Sequence, residues 1–151
     1  MIFDLQSLFS NAQAITATAG STNVIDLQAT GIPYGNVERL RRDIGRGEDV
    51  PLLIQVVQAF NNLTSLEIKV QTSDDNTFGT GVVDHYTSGA ILLAALVPGF
   101  KISHSVIPDA ASVAGGMKRY MRTQYIVVGV APTTGQVTAG VVAGVNNNVN
   151  Y

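Results

Sequence analysis

The sequence contains no cysteine and no tryptophan, and it has only two histidines, His85 and His104. The absence of cysteine excludes a disulfide framework and any thiolate metal site, so stability has to come from packing or assembly. The two histidines lie in separate segments, a placement that does not favour a zinc site or a catalytic histidine. With only five tyrosines and five phenylalanines besides, the chain is also poor in side chains that stack on sugars.

Charge is scarce as well. Charged residues make up 13% of the chain, against about 25% in ordinary soluble domains. The formal net charge of −2 gives no overall attraction for nucleic acid, whose binding depends on cationic contacts to phosphate. A surface with few ions loses little hydration when a partner covers it, so the composition favours a protein that packs against another protein.

Long apolar runs are missing too. No run reaches the length of a membrane span, and the start of the chain lacks the cationic and apolar regions of a signal peptide. We therefore expect no membrane partner and no secretion by a standard signal. The length favours one domain over residues 1–151. Residues 11–22 are small and polar, which predicts either an extended arm over residues 1–22 that lies on a neighbour, or a loosely ordered N-terminus.

What the sequence does contain is the alternation of a β-strand. Residues 63–72 place apolar Leu66, Ile68 and Val70 between polar Glu67, Lys69 and Gln71. Strict alternation puts one face of a strand on a core and the other in water. The polar run at residues 73–76 then supplies side chains that favour a turn. The segment therefore predicts a half-buried antiparallel strand that ends in a turn.

Short apolar runs between turn residues recur along the chain. Further strands are predicted at residues 23–27, 52–60, 82–86, 100–106, 119–130 and 136–145, with residues 91–97 as either a strand or a helical turn. The mostly apolar run 52–60 is typical of a central strand buried on both faces. The last two strands are predicted to form a hairpin across residues 131–135. Together these features predict an all-β fold, a jelly-roll-type β-sandwich of about eight antiparallel strands.

Motifs for a reaction are absent. Asp74 and Asp75 lack the spacing and the distant glutamate that complete a calcium loop, so a turn is the stronger interpretation. The G-x-G pairs at Gly45 and Gly79 lack the third glycine and the following helix of a phosphate-binding loop. No G-x-S-x-G nucleophile elbow is present. We therefore expect no enzyme activity, no catalytic residue, no metal and no cofactor.

The one charge-dense region is residues 36–47. It holds four of the nine basic residues, namely Arg39, Arg41, Arg42 and Arg46, together with Glu38 and Asp43. Arginine favours bidentate recognition of carboxylates and is enriched at protein interfaces. This pattern predicts a contact patch for an acidic partner, and the alternative is a solvated segment whose charges pair among themselves.

Two tyrosines in the predicted strand 119–130 are separated by an odd spacing. Tyr120 and Tyr125 must therefore face opposite sides of the strand. At most one of them belongs to the core, and the other is available for an interface.

Several of these segments, taken in order along the chain, resemble a known family. They are residues 22–27 (TNVIDL), 51–56 (PLLIQV), 59–66 (AFNNLTSL), 119–122 (RYMR) and 135–140 (GQVTAG), the last preceded by Ala131 and Pro132. In this order, and at this chain length and composition, they resemble the small capsid cement, or decoration, proteins of short-tailed phages related to the Bordetella phages.

The resemblance implies a jelly-roll protein, made in the bacterial host cytoplasm, that sits on the outer capsid surface of the virion. Its implied partners are the major capsid protein of HK97-like fold and a second copy of itself in a homodimer. Such a cement protein clamps neighbouring subunits and stabilises the expanded shell, and the family has no catalytic residues. The alternatives are a receptor- or carbohydrate-binding jelly-roll module of a phage tail or fibre, a cupin-type enzyme, and the shell protein itself.

The arginine-rich segment gives the first testable prediction. Replacing Arg41→Glu and Arg42→Glu together should weaken attachment to phage heads without unfolding the domain, because the reversed charges would repel an acidic partner surface. Head occupancy is measured by co-sedimentation, and folding by circular dichroism. Unchanged occupancy would remove the basic contact patch.

Overall fold

The structure is a computed structural model, and it describes residues 3–28, 31–38, 51–104 and 114–144. These residues form ten β-strands and one short 3-10 turn. The strands are β1 (Phe3–Ala14), β2 (Ala19–Gly20), β3 (Ile25–Asp26), β4 (Leu52–Gln58), β5 (Leu63–Ser73), β6 (Val83–Thr87), β7 (Ile91–Leu92), β8 (Lys101–His104), β9 (Tyr120–Gly129) and β10 (Gln136–Val142), and the turn is Leu93–Ala95. The ambiguous segment 91–97 therefore contains both a short strand and a helical turn.

The strands form two antiparallel sheets. The four-stranded sheet has the order β1-β10-β4-β8. The six-stranded sheet has the order β2-β9-β5-β6, with β3 also pairing with β9 and β7 with β5. The longest pairing joins β5 to β9 and runs from Leu63 opposite Gly129 to Ser73 opposite Tyr120. This arrangement confirms the predicted all-β sandwich, while the jelly-roll connectivity stays a prediction.

The inner faces of the two sheets share one apolar core. In β5 the predicted alternation is confirmed for residues 66–70, since Leu66, Ile68 and Val70 are buried while Glu67 and Lys69 are only partly covered. Gln71, which was predicted to face water, is 8% exposed and therefore buried. The core also contains Phe9, Ile15, Ile25, Leu27, Leu52, Ile54, Val56, Phe60, Leu63, Ile91, Leu96, Met121, Tyr125, Val137 and Ala139. Burial of this apolar surface is the main force that holds the sheets together.

Strand β4 is central, as its apolar sequence predicted. It lies between β10 and β8, and three consecutive residues, Leu52, Leu53 and Ile54, are all buried. Because successive side chains point to opposite faces of a sheet, β4 is covered on both of its faces at this end.

The predicted hairpin between the last two strands is wrong. β9 belongs to the six-stranded sheet and β10 to the four-stranded sheet, so the two strands do not pair. The connection at residues 130–135 instead crosses from one sheet to the other. The physical reason is that β9 already has β5 on one side and β2 and β3 on the other, which leaves no edge for β10.

The N-terminal segment is part of the sandwich. β1 pairs with β10 along the edge of the four-stranded sheet, and β2 pairs with β9 in the six-stranded sheet. Residues 11–22 thus carry the chain from one sheet to the other. In this structure the predicted arm is an edge strand followed by a crossing, and its N-terminal residues 3–14 are paired rather than loose.

Buried polar groups fasten this crossing. The Ser10 hydroxyl donates to Gln13 Oε1 at 2.7 Å, so it accepts from the Tyr125 hydroxyl at 2.8 Å. The Thr123 hydroxyl donates to the same Tyr125 oxygen at 3.0 Å. Since Ser10 lies on β1 and Tyr125 on β9, a fully satisfied polar chain links the two sheets through the core. Tyr125 is thus the core tyrosine of the predicted pair, and Tyr120 is partly exposed.

The connection between β4 and β5 also crosses from one sheet to the other, and it contacts the crossing at residues 130–135. Asn61, between β4 and β5, accepts hydrogen bonds from the backbone N–H groups of Thr133 at 2.8 Å and Thr134 at 3.1 Å. Its side-chain amide donates to the Thr133 hydroxyl at 2.8 Å. Gly135 then passes directly over the ring of Phe60 with a φ of 134°. Both the close approach and the positive φ require glycine at this position.

We therefore expect Gly135→Ala to destabilise the fold by roughly 2–4 kcal/mol, since the new methyl group would overlap the Phe60 ring in a backbone conformation that alanine disfavours. Chemical denaturation measures the loss. Gly144→Ala is the matched control, because a methyl group there meets none of the described residues within 4 Å. Equal unfolding free energies for the two variants would contradict this account of the crossing.

Candidate protein-binding surface

The segment Gly31 to Glu38, between β3 and β4, forms a tight turn. The backbone N–H of Asn36 donates to the Pro33 carbonyl at 3.0 Å, and Gly35 has a φ of 82°. Those values describe a type II turn, in which the third position needs a positive φ and so favours glycine. Asn36 Oδ1 then accepts from the N–H groups of Val37 at 2.8 Å and Glu38 at 3.3 Å, so local hydrogen bonds hold the turn.

This turn presents apolar side chains to solvent. Tyr34, at its second position, is 108% exposed, Val37 is 92% exposed and Ile32 is 58% exposed. Isolated exposed apolar residues are ordinary, but here three large ones lie within six residues of a single turn, and clustered exposed apolar residues mark protein interaction sites. Tyrosine is also among the residues that contribute most to binding energy at interfaces. We call residues 31–38 the apolar turn.

A second surface is the outer face of the six-stranded sheet. Here polar side chains form a row across three strands. Arg122 Nε and Nη2 donate to Gln71 Oε1 at 3.2 and 3.1 Å, and Gln71 Nε2 donates to Asp84 Oδ1 at 2.7 Å. Lys69 Nζ donates to Asp84 Oδ2 at 2.7 Å. We call this row the polar row.

Asp84 and Arg122 of the polar row differ in whether an oppositely charged side chain contacts them. Burial raises the pKa of Asp84, but the hydrogen bonds from Lys69 and Gln71 outweigh it and leave that pKa below its usual value. Arg122 lies with its guanidinium 4.1 Å from the centre of the Phe78 ring, and burial lowers its pKa. The stacked arginine is therefore held in place by an aromatic ring and by an uncharged amide.

The far end of the same face is apolar. Leu92 of β7 and Val128 of β9 both lie opposite Ser65 of β5. Leu92 is 64% exposed and Val128 is 48% exposed, whereas Ser65 between them is buried. Leu92 and Val128 thus lie on either side of the small residue Ser65, about two strand spacings apart.

The predicted contact residues Arg39, Arg41, Arg42 and Arg46 all lie outside the described residues. The apolar turn directly precedes them in sequence. The sequence analysis did not predict this turn as a binding feature. The run Ile32, Pro33, Tyr34 between two glycines could have indicated it, because residues that favour turns there surround apolar ones.

The histidines do not form a site together. His85 lies on β6 and His104 on β8, in different sheets. Among residues 3–28, 31–38, 51–104 and 114–144, no group of three or more histidine and acidic side chains could hold a metal. The Asp74–Asp75 segment forms the predicted turn, since Asp75 accepts from the backbone N–H groups of Thr77 and Gly79, both at 2.9 Å.

The family model named Bbp16 matches residues 9–144, and the chain therefore belongs to the Bbp16 family, whose name indicates a protein of a Bordetella phage. Family and fold together support a structural protein of a bacteriophage and indicate association with the virion.

A comparison with curated proteins finds no match. Within the described parts of the chain, no helix has the length and apolar character needed to cross a bilayer.

One buried group near the polar row gives a pH prediction. A register shift between β5 and β6 places His85 between the pairs Val70–Tyr86 and Gln71–Asp84, and His85 is only 6% exposed. Its Nε2 lies 2.6 Å from the Thr72 hydroxyl, and its Nδ1 is buried with no hydrogen-bond partner among the described residues. Burial lowers the pKa of His85 below 6.5, although the Asp84 charge opposes the shift.

Because the folded pKa is lowered, the unfolded chain takes up the proton first as the pH falls. We expect stability to be complete above the unfolded pKa of about 6.5 and to decrease below it. Thermal unfolding between about pH 7.5 and about pH 5.5 measures the slope, and His85→Gln should flatten it. His104→Gln is the control. A slope that persists in the His85 variant would assign the effect to another group.

Proposed function

We propose that this protein binds the outer surface of an icosahedral phage head and clamps neighbouring subunits of a major capsid protein with the HK97-like fold. In this role it stabilises the expanded shell. Membership of the Bbp16 family supports a phage structural protein, and the resemblance found in the sequence supports the cement role. The scarcity of charge supports attachment outside the shell, since a protein that met the genome would need cationic side chains.

The observation that carries the proposal is the apolar turn. A folded domain gains nothing by holding Tyr34, Val37 and Ile32 in water on a turn that local hydrogen bonds fix. A partner surface that covers them recovers the hydrophobic free energy of their burial. Because the turn is held before binding, little conformational entropy is lost when it docks.

A clamp also needs a second contact. A homodimer would supply one, since closed two-fold assemblies are the commonest oligomers. Two docked protomers then make the second contact intramolecular, which raises the overall affinity without any new interaction. The few exposed ion pairs agree with attachment that persists over a wide range of salt, because exposed pairs are screened and contribute little.

The exposed ring of Tyr34 also favours a second candidate, a receptor- or carbohydrate-binding module of a phage tail or fibre. An exposed aromatic ring can stack on a sugar face. Within the described residues, however, Tyr34 is the one aromatic side chain that is largely exposed to solvent. A sugar-binding surface usually needs more than one aromatic ring. A glycan array with the wild-type protein tests this candidate directly.

The first test is co-sedimentation of the purified protein with expanded, undecorated phage heads, followed by heating of the decorated heads. Wild-type protein should bind saturably and raise the temperature at which heads rupture. Tyr34→Ser should weaken binding by about 2 kcal/mol, or roughly 30-fold, because it removes a central aromatic contact.

Leu5→Ser is the matched control, since Leu5 is another highly exposed apolar side chain, 80% exposed on β1. It should bind heads as the wild type does. If Tyr34→Ser and Leu5→Ser bind equally well, the turn is not the contact. If wild-type protein does not bind heads but does bind a glycan, the carbohydrate candidate replaces the cement role.

A further inference from the structure

Among the described residues, the polar row contains a cation that lacks a counter-ion. Three other cations each meet a carboxylate: Lys69 meets Asp84, Lys118 meets Asp74, and Arg119 meets Asp26, at 2.7, 3.0 and 2.9 Å. Within the same residues, Arg122 hydrogen-bonds only to the neutral amide of Gln71. It is also partly withdrawn from water, so its charge is incompletely compensated.

The guanidinium is oriented for a further ligand. Two of its nitrogens, Nε and Nη2, are used by Gln71, and its flat face is covered by the Phe78 ring. The remaining nitrogen, Nη1, points toward Gly20 of β2, where a methyl group would lie only 2.9 Å from it. The absence of a side chain at Gly20 gives Nη1 its place beside β2, and among the described residues Nη1 donates no hydrogen bond.

We propose that Nη1 of Arg122 receives a carboxylate from the head subunit that the protein decorates, so that the outer face of the six-stranded sheet is a contact surface of the shell. This inference rests on the proposed function. An arginine whose orientation is fixed beforehand loses little entropy on binding, and a charge-assisted hydrogen bond to a carboxylate is stronger than a neutral one. The apolar pair Leu92 and Val128 on the same face adds area that a partner can cover.

As far as the described residues show, a second copy of this chain is a poorer source of that carboxylate. Six of the seven described acidic side chains already accept hydrogen bonds within the chain: Asp4, Asp26, Glu67, Asp74, Asp75 and Asp84. Taking one of them would break an existing interaction to make a similar one. A carboxylate from a different protein carries no such cost.

A polyanion is also disfavoured as the ligand. Gln71 contacts Arg122 on one side and the carboxylate of Asp84 on the other. The chain also has a net charge of −2. An extended phosphate backbone would meet these negative charges, whereas a single carboxylate can reach Nη1 alone.

Two experiments test the inference. The first is co-sedimentation with heads. Arg122→Gln should weaken binding about 10- to 100-fold, and Arg122→Lys should give an intermediate loss because lysine keeps the charge but not the planar fork. Arg119→Gln is the matched control: it removes the same charge three residues away, from a guanidinium already satisfied by Asp26. The second is a nuclear magnetic resonance titration of the free protein with sodium acetate, against sodium chloride at the same ionic strength.

The outcomes separate the two proposals. A loss of head binding specific to Arg122→Gln, together with an acetate-dependent shift of the Arg122 side-chain resonances, supports the inference. If wild-type protein binds heads and Arg122→Gln binds equally well, the inference fails and the proposed function stands. If wild-type protein does not bind heads while acetate still shifts Arg122, the proposed function fails and the carboxylate site remains.

Self-association is a separate outcome. If Arg122→Gln changes the sedimentation coefficient of the free protein but not head binding, the carboxylate comes from a second copy and the inference as stated is wrong.

Discussion

The register of β5 against β9 is the constraint on which both the core and the candidate surfaces depend. Along this pairing Thr72 faces Met121 and Gln71 faces Arg122. Since neighbouring residues point to opposite faces of a sheet, a slip of one residue would move Arg122 into the core and Met121 into water. The inner residues fix the register, because burying Met121 and Tyr125 beside Ile68 and Val70 is worth far more than any surface hydrogen bond. The outer face inherits its geometry from the core.

The crossings at the ends of the sandwich decide which segments reach the surface. The chain passes between sheets with few residues at 59–62 and again at 130–135, and Asn61 satisfies the backbone groups of the second crossing. Short, hydrogen-bonded crossings of this kind cannot carry an extended binding loop. The connection between β3 and β4 also joins the two sheets, but it is much longer, and it is there that the apolar turn occurs. The division between short structural connections and exposed ones therefore follows from the length of each connection.

The strands could be predicted from the sequence because their evidence is local. Alternation in β5 and the apolar run of β4 follow from side-chain period and burial, and each is confirmed. The pairing of strands could not be predicted in the same way. Residues 131–135 carry good turn residues, yet β9 and β10 lie in different sheets, because pairing depends on which edges other strands already occupy. The polar row could not be predicted from the sequence either. It depends on the strand register that places Gln71 beside both Arg122 and Asp84, and the spacing of these residues in the sequence does not indicate that register.

The two candidate surfaces are close enough to meet one partner. Asp26 of β3 lies opposite Tyr120 at the start of β9, about 5 Å away, and Gly31 is five residues further along the chain, so the apolar turn begins within about 23 Å of Tyr120. Arg122 is two residues beyond Tyr120, about 7 Å away. A typical interface covers about 800 Å² of each partner, a patch wide enough to include both. The apolar pair Leu92 and Val128 lies near the other end of β5 and β9, several strand residues away, where the same subunit would reach less easily. A clamp assembled from this chain would then place an arginine and an aromatic turn on one subunit, and leave the distant apolar end to contact whatever lies next to it.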